Sequence, residues 1–200
     1  MSALPAPQDS PGLVGPDRLL TVDEYAALGE VESGYTELIE GRIMMSPSPT
    51  PMHNIASFEL AAQLKRQLPS HLRVVQDVDL DLEFVASDHP GFSRRPDLVV
   101  IEREAVDRVA REGGMLRASE VAVVIEIASP GSRRIDYRDK HGEYADAGIR
   151  HYWIVDLRDP VSVVACHLAG EFGYQNAPDV TGVFEATEPF NVRLDLDKLR

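Results

Sequence analysis

The chain has 200 residues, 44% of them hydrophobic, which is enough for one sizeable core, and no shift in composition argues for a second domain. Its formal net charge of -13 excludes nucleic-acid binding through a general basic field, so any such contact has to be local and has to overcome long-range repulsion. The single cysteine, Cys166, leaves no internal disulfide and no Cys/His zinc pattern, which suits a reducing cytoplasm, and no apolar run approaches the roughly 18 residues that a membrane span needs.

Residues 1–16 carry four prolines and no apolar periodicity, so they read as a mobile leader, with residues 17–200 as one domain. They hold neither the basic start nor the apolar segment of a signal peptide. Thr21 is the N-cap of a short helix through Leu28, with Asp23 and Glu24 in its first turn. Tyr35 to Pro47 reads as a hairpin about a Glu40-Gly41 turn, with Tyr35, Glu37 and Ile39 on one face and Leu38 on the other. Taken alone, Glu37 is a solvated strand residue. Pro49 to Leu68 is the main helix: His53, Ser57, Leu60, Ala61, Leu64 and Leu68 form one stripe, and Ile55, Phe58 and Ala62 form a second. Two apolar sides predict a helix sandwiched between neighbours. His53, at the end of the first stripe, is either a satisfied core histidine or a group near a site.

From Leu72 to Val85 the sequence alternates, Val78, Leu80, Leu82 and Phe84 against Asp77, Asp79, Asp81 and Glu83, as in one half-exposed strand. The acidic side lacks the glycine and spacing of a calcium loop. Pro96 precedes a buried run, Leu98 to Ile101, which Asp97 opens, and a polar, helix-prone link from Arg103 to Ser119 follows. Val121 to Ala128 is a near-continuous apolar run of a strand buried on both faces, yet it contains Glu126. An unpaired carboxylate there is costly, so it calls for a partner, a proton or a metal. A helix from about Asp136 to Ala147, stopped by Gly148, and a strand from His151 to Asp156 complete a βαβ unit with parallel strands.

If the run opened by Asp97 pairs antiparallel with Val121 to Ala128, Asp97 comes to lie beside Glu126. Two converging carboxylates repel unless they share a proton or hold a cation, and magnesium is the simplest resolution. Lys140 points along a partly apolar helical stripe, either as an i,i+4 partner of Asp136 or as an ammonium near the two carboxylates. Arg94 and Arg95 precede Asp97, and Arg133, Arg134 and Arg138 follow Glu126, either as a local positive rim for phosphates or as surface partners of the surplus carboxylates.

These residues carry a resemblance. A Pro-Asp opening one strand, a Glu on the next, a downstream Lys and the βαβ unit resemble the PD-(D/E)XK nuclease superfamily and, within it, the Uma-type family of restriction-endonuclease-like proteins. The matching stretches are YTELIEG at Tyr35, PTPMHNIASFELAAQL at Pro49, RRPDLVVIE at Arg94, and the long run from Val121 to Asp156. The resemblance implies an α/β fold with a mixed sheet flanked by helices, a divalent metal (Mg2+ or Mn2+), and hydrolysis of nucleic-acid phosphodiesters, with DNA the expected substrate. Carried over, Asp97, Glu126 and the main-chain carbonyl of Ile127 hold the metal. Glu37 matches an auxiliary acidic residue. Arg95, Arg133 and Arg134 cluster where such a site would need contacts to substrate phosphate. The superfamily motif places its lysine two residues after the second carboxylate, where this chain has Ala128, so Lys140 is the displaced substitute.

Beyond Asp156, Val161 to Leu168, Glu171 to Gln175 and Phe190 to Leu196 read as short strands that extend the sheet or cover its edge. His141, His151 and His167 show no metal spacing, and Trp153 is a core aromatic. The expectation is a magnesium-dependent endonuclease acting as a homodimer, since two sites suit two strands. Two rivals stand beside it: a non-catalytic dimerising or regulatory module on the same fold, which the net charge favours, and a phosphodiesterase for a small nucleotide.

Overall fold

Hydrophobic runs of period two supply the strands, and a three-residue to four-residue period supplies the helices that cover them. The computed structural model describes residues 18–29, 34–46, 48–129 and 132–200; the expected leader, Pro47 and the Pro130-Gly131 pair lie outside the described residues. In chain order the elements are α1 (Val22–Ala27), β1 (Thr36–Ile39), β2 (Arg42–Met45), α2 (Pro51–Lys65), β3 (Leu72–Gln76), β4 (Leu80–Asp81), β5 (Ser93–Arg94), β6 (Leu98–Glu102), α3 (Arg103–Glu112), β7 (Leu116–Arg117) and β8 (Val121–Ala128). A π-helical turn, Ile135–Asp139, then leads into α4 (Lys140–Asp146), followed by β9 (His151–Asp156), β10 (Ser162–Leu168), β11 (Tyr174–Asn176), β12 (Val180–Thr181), β13 (Val183–Ala186) and β14 (Val192–Asp195).

The main sheet runs β11-β10-β9-β8-β6-β3, with β12 also on β10. Its only parallel pair among the described strands is β8 with β9, joined by the π turn and α4 as the βαβ pattern predicts. β6 is antiparallel to β8 with Leu98 opposite Ile125, so Asp97 lies across from Glu126. Alternate residues of these strands face two cores. Val100, Val123, Ile125 and Ile127 meet Leu60 and Leu64 of α2, while Val99, Val124 and Ala128 meet Tyr144 and Ile149 on the other side. Trp153 is the expected core aromatic, packed against Phe184 and Phe190. Of the late strands, β10 and β11 extend the sheet, and the β13–β14 hairpin joins the α2 side of the core.

A smaller sheet, β2-β1-β5-β4-β7, lies beside it, where the resemblance implies one mixed sheet. The hairpin turn has positive φ at both Glu40 (49°) and Gly41 (75°), the geometry whose twist matches paired strands. A side chain at Gly41 would also meet the Cβ atoms of Leu19 and Pro90 at 2.9 Å.

Three local expectations are corrected. The alternating stretch from Leu72 to Val85 is two strands, because Asp77 takes a positive φ of 53° and turns the chain from the main sheet into the smaller one. Among the described residues, helix α2 is covered on one side only: Leu60 and Leu64 are fully buried, whereas Ile55 and Phe58 of the second stripe are 50% and 69% exposed. Glu37 is buried, because β1 is an inner strand of the smaller sheet and its neighbour β5 presents Arg94 to it.

Candidate active site

The antiparallel register of β6 and β8 is what assembles the site. Asp97, held at the entry to β6 by Pro96, points its Oδ2 at the backbone of β8 and accepts the Ile127 N–H at 2.6 Å. The same oxygen lies 3.1 Å from Nε2 of His53 on the first turn of α2, where Thr50 caps the helix and Pro51 opens it. Glu126 is 2% exposed, and its Oε1 accepts hydrogen bonds from Lys140 Nζ at 2.8 Å and from the Tyr144 hydroxyl at 2.7 Å. Burial pushes the Glu126 pKa well above the usual carboxylate range; Lys140 opposes this, and Asp97 and Asp136 add to it.

Lys140 stands where the π turn becomes regular helix, its N–H bonded to the Ile135 carbonyl five residues back. That wide turn leaves Asp136 3.9 Å from the ammonium, while Glu126 and Glu37 lie at 2.8 and 3.6 Å. The i,i+4 contact is thus the longest of the three. Burial alone would favour the neutral amine, but the surrounding carboxylates raise the Lys140 pKa, so it remains an ammonium at neutral pH.

Glu37 accepts from Arg94 Nη1 at 2.7 Å and from the Arg95 N–H at 3.2 Å. Burial opposes its ionisation, but Lys140 and Arg94 outweigh burial and lower its pKa. Arg94 completes the network with two 2.6 Å bonds to Glu143. It is 5% exposed, so it is no part of a surface rim; burial in a wholly paired setting makes it a strut between β1, β5 and α4.

The other arginines divide. Arg95 bonds Asp77 at 2.7 Å, lies 3.6 Å from Asp79 and stacks over Tyr35, which makes the first half of the acidic ladder its partner rather than a solvated face. Arg133 pairs with Asp156 and stacks over Tyr137. Arg134 and Arg138 are exposed. His141 meets Asn176, away from the carboxylates.

Sequence spacing leaves two members of the site unassigned. Asp136 is 1% exposed and its Oδ2 has no hydrogen-bond partner among the described residues. Tyr144 donates to Glu126 from the same helical face as Lys140. The signal for both is present in the wheel that places Asp136, Lys140, Glu143 and Tyr144 on one side, but only the fold turns that side towards Glu126. His53 contacts Asp97 rather than the core, and its Nδ1 is buried without a partner among the described residues.

The donor set suits a hard cation. Four buried or half-buried carboxylates, Glu37, Asp97, Glu126 and Asp136, surround Lys140, and among the described residues Asp97 Oδ1 and Glu126 Oε2 stand outside the hydrogen bonds that hold their partner oxygens. Among the described residues, no three His, Cys, Asp or Glu side chains form a ligand set by themselves. Two carboxylates with a backbone carbonyl and waters is the pattern magnesium tolerates.

A crystal structure from Anabaena variabilis ATCC 29413, described as "a putative nuclease belonging to DUF820", matches with a TM-score of 0.66 and 20% identity, over 90% of this chain and 97% of that one. The likeness shows the fold, restriction endonuclease-like, with mixed sheets flanked by helices. No curated protein matches the chain. A family model described as "Putative restriction endonuclease" matches residues 22–196, and the chain belongs to that family, Uma2.

Proposed function

We propose that this protein is a metal-dependent endonuclease hydrolysing phosphodiester bonds of nucleic acid, with DNA as the substrate. The observation that carries this is the meeting of Asp97, Glu126 and Lys140 at one end of a buried sheet, with an oxygen of each carboxylate left outside the hydrogen-bond network. Family membership supports the same class of chemistry.

Asp97, Glu126 and the Ile127 carbonyl would hold Mg2+ or Mn2+. Bound there, the ion would lower the pKa of a water and polarise a phosphate oxygen. Lys140, kept cationic by its carboxylate neighbours, is a hydrogen-bond donor and a fixed positive charge rather than a proton acceptor. It orients the attacking water and offsets charge that builds on the phosphate in the transition state. Glu37 acts through Lys140, its carboxylate lying 3.6 Å from the ammonium. His53 fixes the orientation of Asp97. The low dielectric of the buried sheet end strengthens each of these interactions.

Plasmid and single-stranded DNA, incubated at low salt with magnesium or manganese, provide the test. Wild type cleaves only with the metal, Asp97→Ala abolishes cleavage, and Lys140→Ala slows it by about 10²–10³ if the ammonium stabilises the transition state. Cleavage that survives Asp97→Ala would remove the assigned ligand. Failure of wild type to cleave, together with no metal binding by calorimetry, would leave the non-catalytic module, which the closed Lys140–Glu126 pair at 2.8 Å and the charge of -13 favour. A homodimer is part of the proposal, because two copies cut two strands; light scattering that gives one chain per particle would remove it.

A further inference from the structure

One strand over from Glu126, a second polar feature opens at the end of β9. Asp156 lies opposite Ala128 in the parallel pair and opposite Ser162 in the β9–β10 pair, and it is 4% exposed. Its carboxylate accepts the Arg158 backbone N–H at 3.0 Å, and the Arg158 side chain bonds it through Nε and Nη2, each at 3.0 Å from Oδ2. Those donors alone satisfy and neutralise a buried carboxylate. Yet a second guanidinium, that of Arg133, pairs with the same oxygen and lies 4.7 Å over the Tyr137 ring. Both arginines, with Tyr137 and Asn176, line a cleft of about 440 Å³.

Among the described lining residues, the two guanidiniums face two carboxylates, Asp156 and Asp179, so the cleft is locally neutral in a chain that is otherwise acidic. Each guanidinium has five N–H donors in a fixed fork, and Asp156 occupies only some of them. The buried carboxylate therefore sets both forks in place before any ligand arrives, which removes part of the ordering cost of binding an anion. The Arg133–Tyr137 stack adds a flat face beside them, as strand-binding clefts use for bases. The cleft size is that of a small-ligand site, far too narrow for a duplex. Of the two carboxylates, Asp179 stands on the exposed rim and Asp156 is buried. Arg133 and Tyr137 belong to the same helical segment as Asp136 and Lys140, and Asp156 ends the strand that pairs with the one carrying Glu126, so the cleft neighbours the carboxylate site.

We propose that this cleft is a phosphate-binding subsite that grips the backbone of a single strand beside the bond to be cut, an inference that rests on the nuclease reading of the neighbouring carboxylates. Arg158 and Arg133 take the phosphate, and the Arg133–Tyr137 face takes the adjoining base.

The test is binding of a fluorescent single-stranded oligodeoxynucleotide to the full chain in EDTA, followed by anisotropy across a salt series, with adenosine monophosphate as competitor. Arg158→Ala is expected to weaken binding about tenfold and to lower the slope of log affinity against log salt by about 0.7, the increment for one phosphate on a single strand. A merely structural role would not change that slope. Arg158→Lys, which keeps the charge on Asp156 and loses the fork, retains the slope while binding more weakly than wild type. Arg111→Ala, on exposed α3, leaves both unchanged. An unchanged slope in Arg158→Ala and Arg133→Ala overturns the proposal. So does adenosine monophosphate binding as tightly as the oligonucleotide in an Arg158-dependent way, which would make the cleft a free-nucleotide site. If the oligonucleotide results hold but wild type fails to cleave with metal, the strand-gripping cleft stands and the nuclease reading falls.

Discussion

Asp136 shows how burial decides the role of a single residue. Its pKa is raised, first by burial, against the pull of Lys140 and with the help of Asp97 and Glu37, so its ionised form costs stability at neutral pH. Replacing it by the isosteric amide in Asp136→Asn should raise the midpoint of thermal unfolding; a lower midpoint would mean that the carboxylate is needed to hold Lys140. Glu37 has the opposite sign. Burial opposes its charge, but Lys140 and Arg94 prevail and depress its pKa below 4.5. Its stabilising contribution is therefore complete above about pH 4.5 and is lost as pH falls through the depressed value. The stability difference between wild type and Glu37→Gln, measured by denaturant titration, should be constant from pH 6 to 5 and shrink below pH 4.5. A difference that grew on acidification would reverse the assignment. The proposed ion acts at the same scale. At about a hundred times its dissociation constant it should add about 2.7 kcal/mol to the unfolding free energy of wild type and nothing to Asp97→Ala.

Between elements, the Arg94 strut ties β5 to β1 through Glu37 and to α4 through Glu143. Removing one partner from a buried ionic cluster leaves charges without compensation, so Arg94→Met should cost about 3–5 kcal/mol in denaturant unfolding. Adding Glu37→Gln and Glu143→Gln to that variant should restore part of the loss. No recovery would mean that packing of the guanidinium stem, rather than charge, is what the strut supplies. The strut was not legible in the sequence: Arg94 and Glu143 are 49 residues apart, and nothing local distinguishes an arginine that will be buried from one on a rim. The second stripe of α2 failed for a related reason. Ile55 and Phe58 satisfy a helical period, but periodicity says which residues share a side and not whether another element covers it. The stretch from Leu72 to Val85 kept its alternation through Asp77, whose positive φ no pattern of hydrophobicity reports.

For the molecule as a whole, Cys166 sits wholly within the core between the main sheet and α4. Burial pushes its thiol pKa up to about 12. A thiol reagent at pH 8 should therefore modify it only at the rate of unfolding, and rapid labelling of the native chain would show that β10 opens on its own. The acidic net charge sets a limit on the same scale: under the proposed function a strand has to approach against long-range repulsion, through local contacts such as the Arg133–Arg158 cleft, and its binding should weaken steeply with salt. The sequence by itself determined β6, β8, β9 and β10 of the main sheet, the βαβ unit, the capped start of α1, and the placing of Asp97 beside Glu126. Asp97, Glu126 and Lys140 were legible because each interrupts an apolar pattern or opens it, and a charge in such a place needs a reason. Only the tertiary structure decided the second sheet, the contact of His53 with Asp97, the burial of Glu37 and Arg94, and the pairing of two arginines on Asp156. The physical reason is that strand and helix periods are set by neighbours along the chain, whereas partners for buried charge are chosen across the sheet register, between residues that sequence order keeps apart.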